Sequence, residues 1–174
     1  MKVIVFAASS STTSINKRLV TFAVSLLQDV DVEILDLNDY EMPLFSEDRE
    51  KLFGHHELAR QFLAKITESD AIIVSFAEHN GCYSAAYKNL FDWCSRINTK
   101  VFQNKPMVML STSPGPRGGA TVLALATGSA PYFDGDVKAS LSIPSFYENF
   151  DVENERFSND ELLRQLKVAV ESIL

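Results

Sequence analysis

The chain has 174 residues, of which 46% are hydrophobic and 22% are charged, and its formal net charge is −7. These values are typical of a single globular domain, residues 1–174, and exclude a disordered, collagen-like or disulfide-rich chain. The acidic balance argues against nucleic acid as a partner, because binding to phosphates needs clustered Lys and Arg.

Short β-rich runs alternate with stretches of helical periodicity along the chain. The predicted strands are Lys2–Ala7, Val32–Leu37, Ala71–Phe76, Met107–Ser111 and Val137–Ile143. The predicted helices are Asn16–Leu27, Glu57–Ser69, Ala85–Arg96, Ala120–Thr127 and a C-terminal helix that opens with a capping box at Ser158 and Glu161. Asp39–Gly54, which is polar and broken by Pro43, is predicted to be a long loop. Strands interleaved with helices in this way predict an α/β, doubly wound parallel sheet.

No apolar run approaches the roughly 20 residues that span a bilayer, so we expect no membrane association. Cys82 and Cys94 do not have the spacing of a disulfide framework or a zinc site, and His55 and His56 have no neighbouring ligand pattern, so no metal is expected. Unpaired cysteines of this kind favour a cytoplasmic location.

Loops that follow the carboxyl ends of parallel strands form the ligand site of an open α/β sheet. The first such loop, Ala8–Ile15, carries six Ser and Thr side chains directly before a helix. Hydroxyls and free amides at a helix N-terminus can bind a phosphate without a cation. Capping by Ser14 alone would explain one or two of these hydroxyls, so we favour a phosphate site.

The second loop, Ala77–Ser84, places an imidazole, an amide, a thiol and a phenol around Gly81, where the backbone can approach a flat ligand. A catalytic pair of Cys82 and His79 is an alternative, although the sequence offers it no orienting partner. The third loop, Thr112–Gly119, is rich in Gly and Pro and could approach a second side of the same ligand, or be only an irregular connection.

Together the three loops resemble those of the NADPH-dependent FMN reductase family, which has a flavodoxin-like fold and includes quinone-, azo- and chromate-reducing members. Its first motif, Gly-Ser-x-Arg-x-x-Ser-x-Asn, is matched at Ser9, Ser14 and Asn16. Its second, Pro-Glu-Tyr-Asn-(Gly) followed by Leu-Lys-Asn-x-x-Asp-Trp, is similar to residues 77–81 and 88–93. Its third, Ser-x-Gly-x-x-Gly-Gly-Ala, is similar to residues 113–120.

The resemblance implies a five-stranded sheet in the order 2-1-3-4-5 between two helical layers. It implies an oxidoreductase that passes hydride from NADPH or NADH through bound FMN to a small acceptor, as a homodimer or homotetramer. No catalytic side chain is implied, because the flavin carries the chemistry. The FMN-binding residues that it implies are Ser9, Ser11, Ser14, Ile15, Asn16, Glu78, His79, Asn80, Gly81, Ser113, Pro114 and Gly115, with Arg117 and Gly118 as candidates for binding NAD(P)H.

Departures from the motifs keep two alternatives open, a flavodoxin-type electron carrier and a flavin-binding domain without catalysis. The family glycine is Ala8 here, its arginine is Ser11, and its tyrosine is His79. Without the arginine, a preference for NADPH over NADH is not expected to be strong.

Overall fold

The computed structural model describes residues 1–174 and contains a central parallel sheet of five strands. Two short antiparallel hairpins lie outside this sheet. The strands of the sheet are β1 (Lys2–Ala8), β2 (Asp31–Leu35), β3 (Ala71–Phe76), β6 (Lys105–Thr112) and β7 (Gly135–Ile143). The hairpin strands are β4 (Glu78–His79), β5 (Cys82–Tyr83), β8 (Phe150–Asp151) and β9 (Arg156–Phe157). The sheet order is β2-β1-β3-β6-β7, which confirms the predicted order 2-1-3-4-5 once the hairpin strands are left out.

Seven α-helices and two 3-10 turns connect the strands. The helices are α1 (Ile15–Ser25), α2 (Glu47–Phe53), α3 (Glu57–Glu68), α4 (Ala85–Ile97), α5 (Ala120–Ser129), α6 (Phe146–Asn149) and α7 (Asp160–Glu171). The 3-10 turns are Leu37–Tyr40 and Ala130–Phe133. None of the helices combines the length and the hydrophobicity that a membrane-spanning segment needs.

The core is divided by the sheet into two clusters, because successive side chains of a strand point to opposite faces. In β1, Ile4 and Phe6 pack with α3, α4 and α5, whereas Val3 and Val5 pack with α1 and α7. Trp93 of α4 is fully buried in the first cluster, as its helical stripe predicts. Burial on both faces explains why β1 and β3 are almost continuously apolar.

The prediction of a single loop over Asp39–Gly54 is wrong. This region includes the end of a 3-10 turn and the helix α2, whose N-cap Ser46 accepts a hydrogen bond from the Arg49 N–H. Helix α2 buries no side chain, so it has no apolar stripe to reveal it. Its signals are the cap, the acidic first turn and the terminal Gly54.

The predicted capping box of the last helix is also wrong. The N-cap of α7 is Asn159, whose side-chain oxygen accepts hydrogen bonds from the N–H groups of Glu161 and Leu162. The Ser158 hydroxyl instead donates to the carbonyl of Glu148. Ser158 therefore fixes the connection from α6, one residue before the helix begins.

Candidate functional site

Three loops meet at the carboxyl edge of the sheet because they follow the adjacent strands β1, β3 and β6. The chain runs from β1 outward to β2 and then crosses back to β3 on the other side of β1. Strand order therefore reverses between β1 and β3, and this is the switch point where open α/β sheets bind ligands. The first loop (residues 9–14) and the second loop (residues 77–84) lie on the two sides of it.

The first loop presents unpaired backbone donors. The Ser9 hydroxyl accepts the Ser11 N–H at 3.2 Å, and the Ser14 hydroxyl caps α1 by accepting the Lys17 N–H at 3.2 Å. A further group of backbone N–H donors has no hydrogen-bond partner within the protein: Ser10, Thr12, Ile15 and Asn16. Free N–H groups at the positive end of a helix dipole bind anions of the size of a phosphate. These donors form a site for an anion of the size of a phosphate.

The Asn16 side chain is buried and faces the sheet. Its Oδ1 accepts hydrogen bonds from the Ser75 hydroxyl at 2.7 Å and the Thr112 N–H at 3.0 Å, and its Nδ2 donates to the Thr112 carbonyl at 3.1 Å. The amide therefore joins the first turn of α1 to β3 and β6. Because the side chain faces the sheet, the group that Asn16 offers a phosphate is its backbone N–H.

No free cation lies beside the first loop. Lys17 is paired with Asp36, and its ammonium holds the pKa of that carboxyl below its ordinary value. Arg18 lies 3.8 Å from the Glu155 carboxylate, and Ser11 stands where the resembling family has arginine. The N–H groups and hydroxyls are therefore the unpaired groups that this loop offers an anion.

The second loop is a β-hairpin, which the sequence analysis missed. Asn80 and Gly81 form its turn with φ angles of +52° and +76°, the left-handed pair of a type I′ turn. An Asn-Gly dipeptide between short strands is the sequence signal that could have revealed it. His79 and Cys82 pair across the hairpin, both exposed, without a side-chain hydrogen bond between them.

Two side chains of the hairpin attach it to α5. Glu78 Oε2 accepts the Val122 N–H at 2.9 Å, and the Tyr83 hydroxyl lies 3.2 Å from that of Ser129. Helix α5 begins after Gly119, which offers no side-chain cap, and its first turn has no acidic residue. The Glu78 carboxylate supplies the missing cap from another loop, so it fixes the distance between the second and third loops.

The third loop (residues 113–119) is held by its own backbone. The Gly115 carbonyl accepts the N–H groups of Gly118 at 3.2 Å and Ser145 at 2.9 Å, and the Ser113 hydroxyl donates to the same carbonyl at 3.3 Å. Gly118 has φ +56°, and a Cβ there would lie 2.5 Å from Ser142 Oγ and 2.6 Å from the Ile143 oxygen. Only glycine fits this position.

Arg117 and Gly118 differ in what they can offer a nucleotide. The Gly118 carbonyl accepts hydrogen bonds from the hydroxyls of Ser111 at 2.8 Å and Ser142 at 3.0 Å, and the Gly118 N–H is also bonded. Neither backbone group of Gly118 is therefore free to bind a nucleotide. The Arg117 side chain is exposed and has neither an ion pair nor a hydrogen bond. Arg117 is therefore an unpaired cation in the third loop.

Cys82 and Cys94 have different environments. Cys82 is exposed on the hairpin, whereas Cys94 is fully buried, and burial raises the pKa of its thiol to about 12. Cys94 is therefore protonated and inert at neutral pH. Only Cys82 lies near the three loops.

Comparison with known proteins gives a consistent picture. A family described as NADPH-dependent FMN reductase matches residues 1–135. The chain is 29% identical to an uncharacterised protein of Mycoplasma pneumoniae over 86% of this chain and 91% of that one. It is 30% identical to a 2-hydroxy-1,4-benzoquinone reductase of a Burkholderia species over 77% of this chain and 72% of that one.

Among solved structures, the chain resembles a flavoenzyme NAD(P)H:(acceptor) oxidoreductase from Paracoccus denitrificans. The two share 21% sequence identity with a TM-score of 0.82, and the match covers 99% of this chain and 94% of the other. This likeness shows a common fold.

Proposed function

The chain belongs to the NADPH-dependent FMN reductase family, and from this premise we propose that it is an NAD(P)H-dependent FMN oxidoreductase acting on a small-molecule acceptor. The observation that carries the proposal is that the loops of the three family motifs meet at the carboxyl edge of the sheet. A cytoplasmic location agrees with two free cysteines.

We assign the FMN phosphate to the first loop. The support is the set of free N–H groups of Ser10, Thr12, Ile15 and Asn16, with hydroxyls around them from Ser9, Ser11 and Ser14. Ile15 and Asn16 contribute through their backbone N–H groups. The Asn16 amide holds the loop in place through β3 and β6, so it acts as a positioning group.

We assign the isoalloxazine ring to the space between the second and third loops. The exposed turn of His79, Asn80 and Gly81 is one side, and Ser113, Pro114 and Gly115 are the other. Glu78 acts here by fixing the hairpin to α5, since its carboxylate is already bonded to the Val122 N–H. The Gly115 carbonyl already accepts hydrogen bonds within the protein, so it is not available to the ring.

Bound FMN supplies the capacity to accept a hydride from a nicotinamide and to deliver it to a second molecule. The chain's own contribution is to bind and orient. The N–H groups that begin α4 would stabilise negative charge on the flavin, and no side-chain nucleophile is needed. The exposed Cys82 thiol has no part in this scheme.

The comparison of FMN with riboflavin tests the cofactor site. Because the first loop binds the phosphate, FMN should bind at least about a hundredfold tighter than riboflavin, the scale of several charge-assisted hydrogen bonds. Quenching of flavin fluorescence measures both affinities. Equal affinities would remove the phosphate site, and steady-state NADH oxidation that needs no FMN would remove the proposed function.

A further inference from the structure

A cavity of about 250 Å³ lies between α4, α5 and the sheet. Its inner wall includes Phe76 of β3, Phe102 and Met109 of β6, all of which are buried. Of the three loops described above, only the second reaches the cavity, through Tyr83. An apolar cavity of about 150 Å³ can bind benzene. On this scale the cavity has room for two fused aromatic rings.

Aromatic side chains form most of the cavity wall. The Tyr87 ring centroid lies 5.2 Å from that of Tyr83 and 5.3 Å from that of Phe76. On its other side it lies 5.8 Å from that of Phe91, which continues the wall to Phe133 at 4.7 Å. A flat aromatic ligand would therefore meet ring faces and edges against which it can pack. The aromatic residues of the lining are Phe76, Tyr83, Tyr87, Phe91, Phe102 and Phe133.

The cavity offers a ligand no unpaired charge. Lys88 and Asp92 are its only charged lining residues, and the Lys88 ammonium donates to both carboxylate oxygens of Asp92, at 2.7 and 2.8 Å. The hydroxyls of Tyr83 and Ser129 lie 3.2 Å apart and satisfy each other. A charged ligand would lose hydration here without gaining a counter-ion, so the lining favours an uncharged one.

The Tyr87 hydroxyl is a polar group that the protein itself does not use. Tyr87 is only 4% exposed, and its hydroxyl has no hydrogen-bond partner within the protein. Every side-chain polar atom that is fully enclosed has a partner, so this hydroxyl must meet open space, and Tyr87 lines the cavity. Burial raises the pKa of the phenol well above its ordinary value, so it stays protonated and can donate. A ligand that accepts this hydrogen bond would satisfy a donor in a buried position.

We propose that this cavity binds an uncharged aromatic molecule of two fused rings that carries one hydrogen-bond acceptor, to which the Tyr87 hydroxyl donates. Removal of apolar surface from water would supply most of the binding free energy, and the hydrogen bond would orient the rings. The inference does not rest on the proposed function, because binding here involves no redox step and no contact with the first or third loop.

Quinoline is a suitable probe, because it has two fused rings and one acceptor nitrogen and is uncharged at neutral pH. Naphthalene has the same shape without the acceptor. Equilibrium dialysis of the protein in the presence of FMN should show saturable binding of both. Tyr87→Phe should weaken quinoline binding about three- to tenfold, the scale of one hydrogen bond, and leave naphthalene binding unchanged. Tyr40→Phe is the matched control, since Tyr40 is a half-buried phenol outside this cavity, and should change neither affinity.

A second pair of variants tests the position of the site. Ser95→Leu enlarges a side chain of the α4 wall and should weaken the binding of both probes at least about tenfold. Ser25→Leu on α1 should not, although it removes the same local contact. In both positions the serine hydroxyl donates to the carbonyl three residues earlier.

The absence of saturable binding, or unchanged quinoline affinity in Tyr87→Phe or in Ser95→Leu, would overturn the inference. Loss of quinoline binding as rising protein concentration assembles an oligomer would also overturn it, because a second copy would then occupy the cavity. Reduction of FMN by NADH tests the proposed function separately, so the failure of one proposal can be told from the failure of the other.

Discussion

Asn80 shows how one residue can combine a structural and a functional demand. Its φ of +52° belongs to the hairpin turn, and Asn and Gly tolerate this conformation better than other residues. Its side chain is exposed at the position assigned to the flavin ring. A change to alanine therefore alters both the turn and the amide.

Asn80→Gly separates the two demands because glycine keeps the left-handed turn and lacks the amide. We expect nearly parental stability, with FMN affinity or its rate of reduction lowered by roughly ten- to a hundredfold through loss of a hydrogen bond to a charged ring. Cys82→Ser is the control and should react normally. The measurement is stopped-flow reduction of the flavin by NADH. An inactive Cys82→Ser variant together with a normal Asn80→Gly variant would contradict this account.

Arg117 is the residue that can distinguish the two nicotinamide cofactors. With Ser11 in place of the family arginine, we expect a preference for NADPH of less than about tenfold in kcat/KM, the scale of one exposed charge contact. Arg117→Ala should bring the ratio close to one. A strong NADPH preference that survives Arg117→Ala would show that another group binds the 2′-phosphate.

Local roles could be predicted from the sequence, but distant partners could not. Ser14 caps α1, which was the structural alternative to its role in phosphate binding, and the helical stripe placed Trp93 in the core. The partners of Asn16 and Glu78 lie 96 and 44 residues away along the chain in Thr112 and Val122. Such pairings depend on how strands are ordered in space, which no local pattern encodes.

At the scale of elements, the third loop depends on the close packing of Gly118 beneath β7. Gly118→Ala forces a Cβ into backbone atoms of Ile143, whereas Gly54→Ala, at φ +69°, meets no atom within 4 Å. Both variants carry the backbone strain, so urea unfolding should show Gly118→Ala less stable than Gly54→Ala by about 1–3 kcal/mol. Equal destabilisation would mean that the loop adapts to a methyl group.

The elements that sequence analysis missed share one property. Helix α2 buries no side chain, and the strands β4 and β5 have two residues each. Periodicity detects an element through the face it buries, so short or fully exposed elements give no signal. Their signals are in turn and cap residues: Ser46 and Gly54 for α2, and Asn80 and Gly81 for the hairpin.

For the whole molecule, alternation of strands and helices was enough to predict the architecture. The sheet order followed from the family resemblance together with right-handed crossovers. The number of subunits did not follow from either. In a single chain, an interface with a second copy is visible only as a surface without a partner.

Helix α5 offers such a surface and makes a homo-oligomer testable. It has no charged residue, and its exposed stripe at helical spacing consists of Thr121, Leu125 and Gly128, with exposed Tyr132 in the 3-10 turn that follows. We expect Leu125→Glu to convert an oligomer to a smaller species in analytical ultracentrifugation, since burying an unpaired charge is costly. Val168→Glu on α7 should keep the parental mass, and an unchanged mass in Leu125→Glu would remove α5 from the interface.

The most direct test of the whole account is anaerobic titration of the FMN-loaded protein with NADH and with NADPH, followed by absorbance. The account predicts that either nucleotide bleaches the oxidised flavin band fully at one equivalent, and that an added quinone restores it. A flavin that stays oxidised with both nucleotides would contradict it and would favour a carrier or a binding domain.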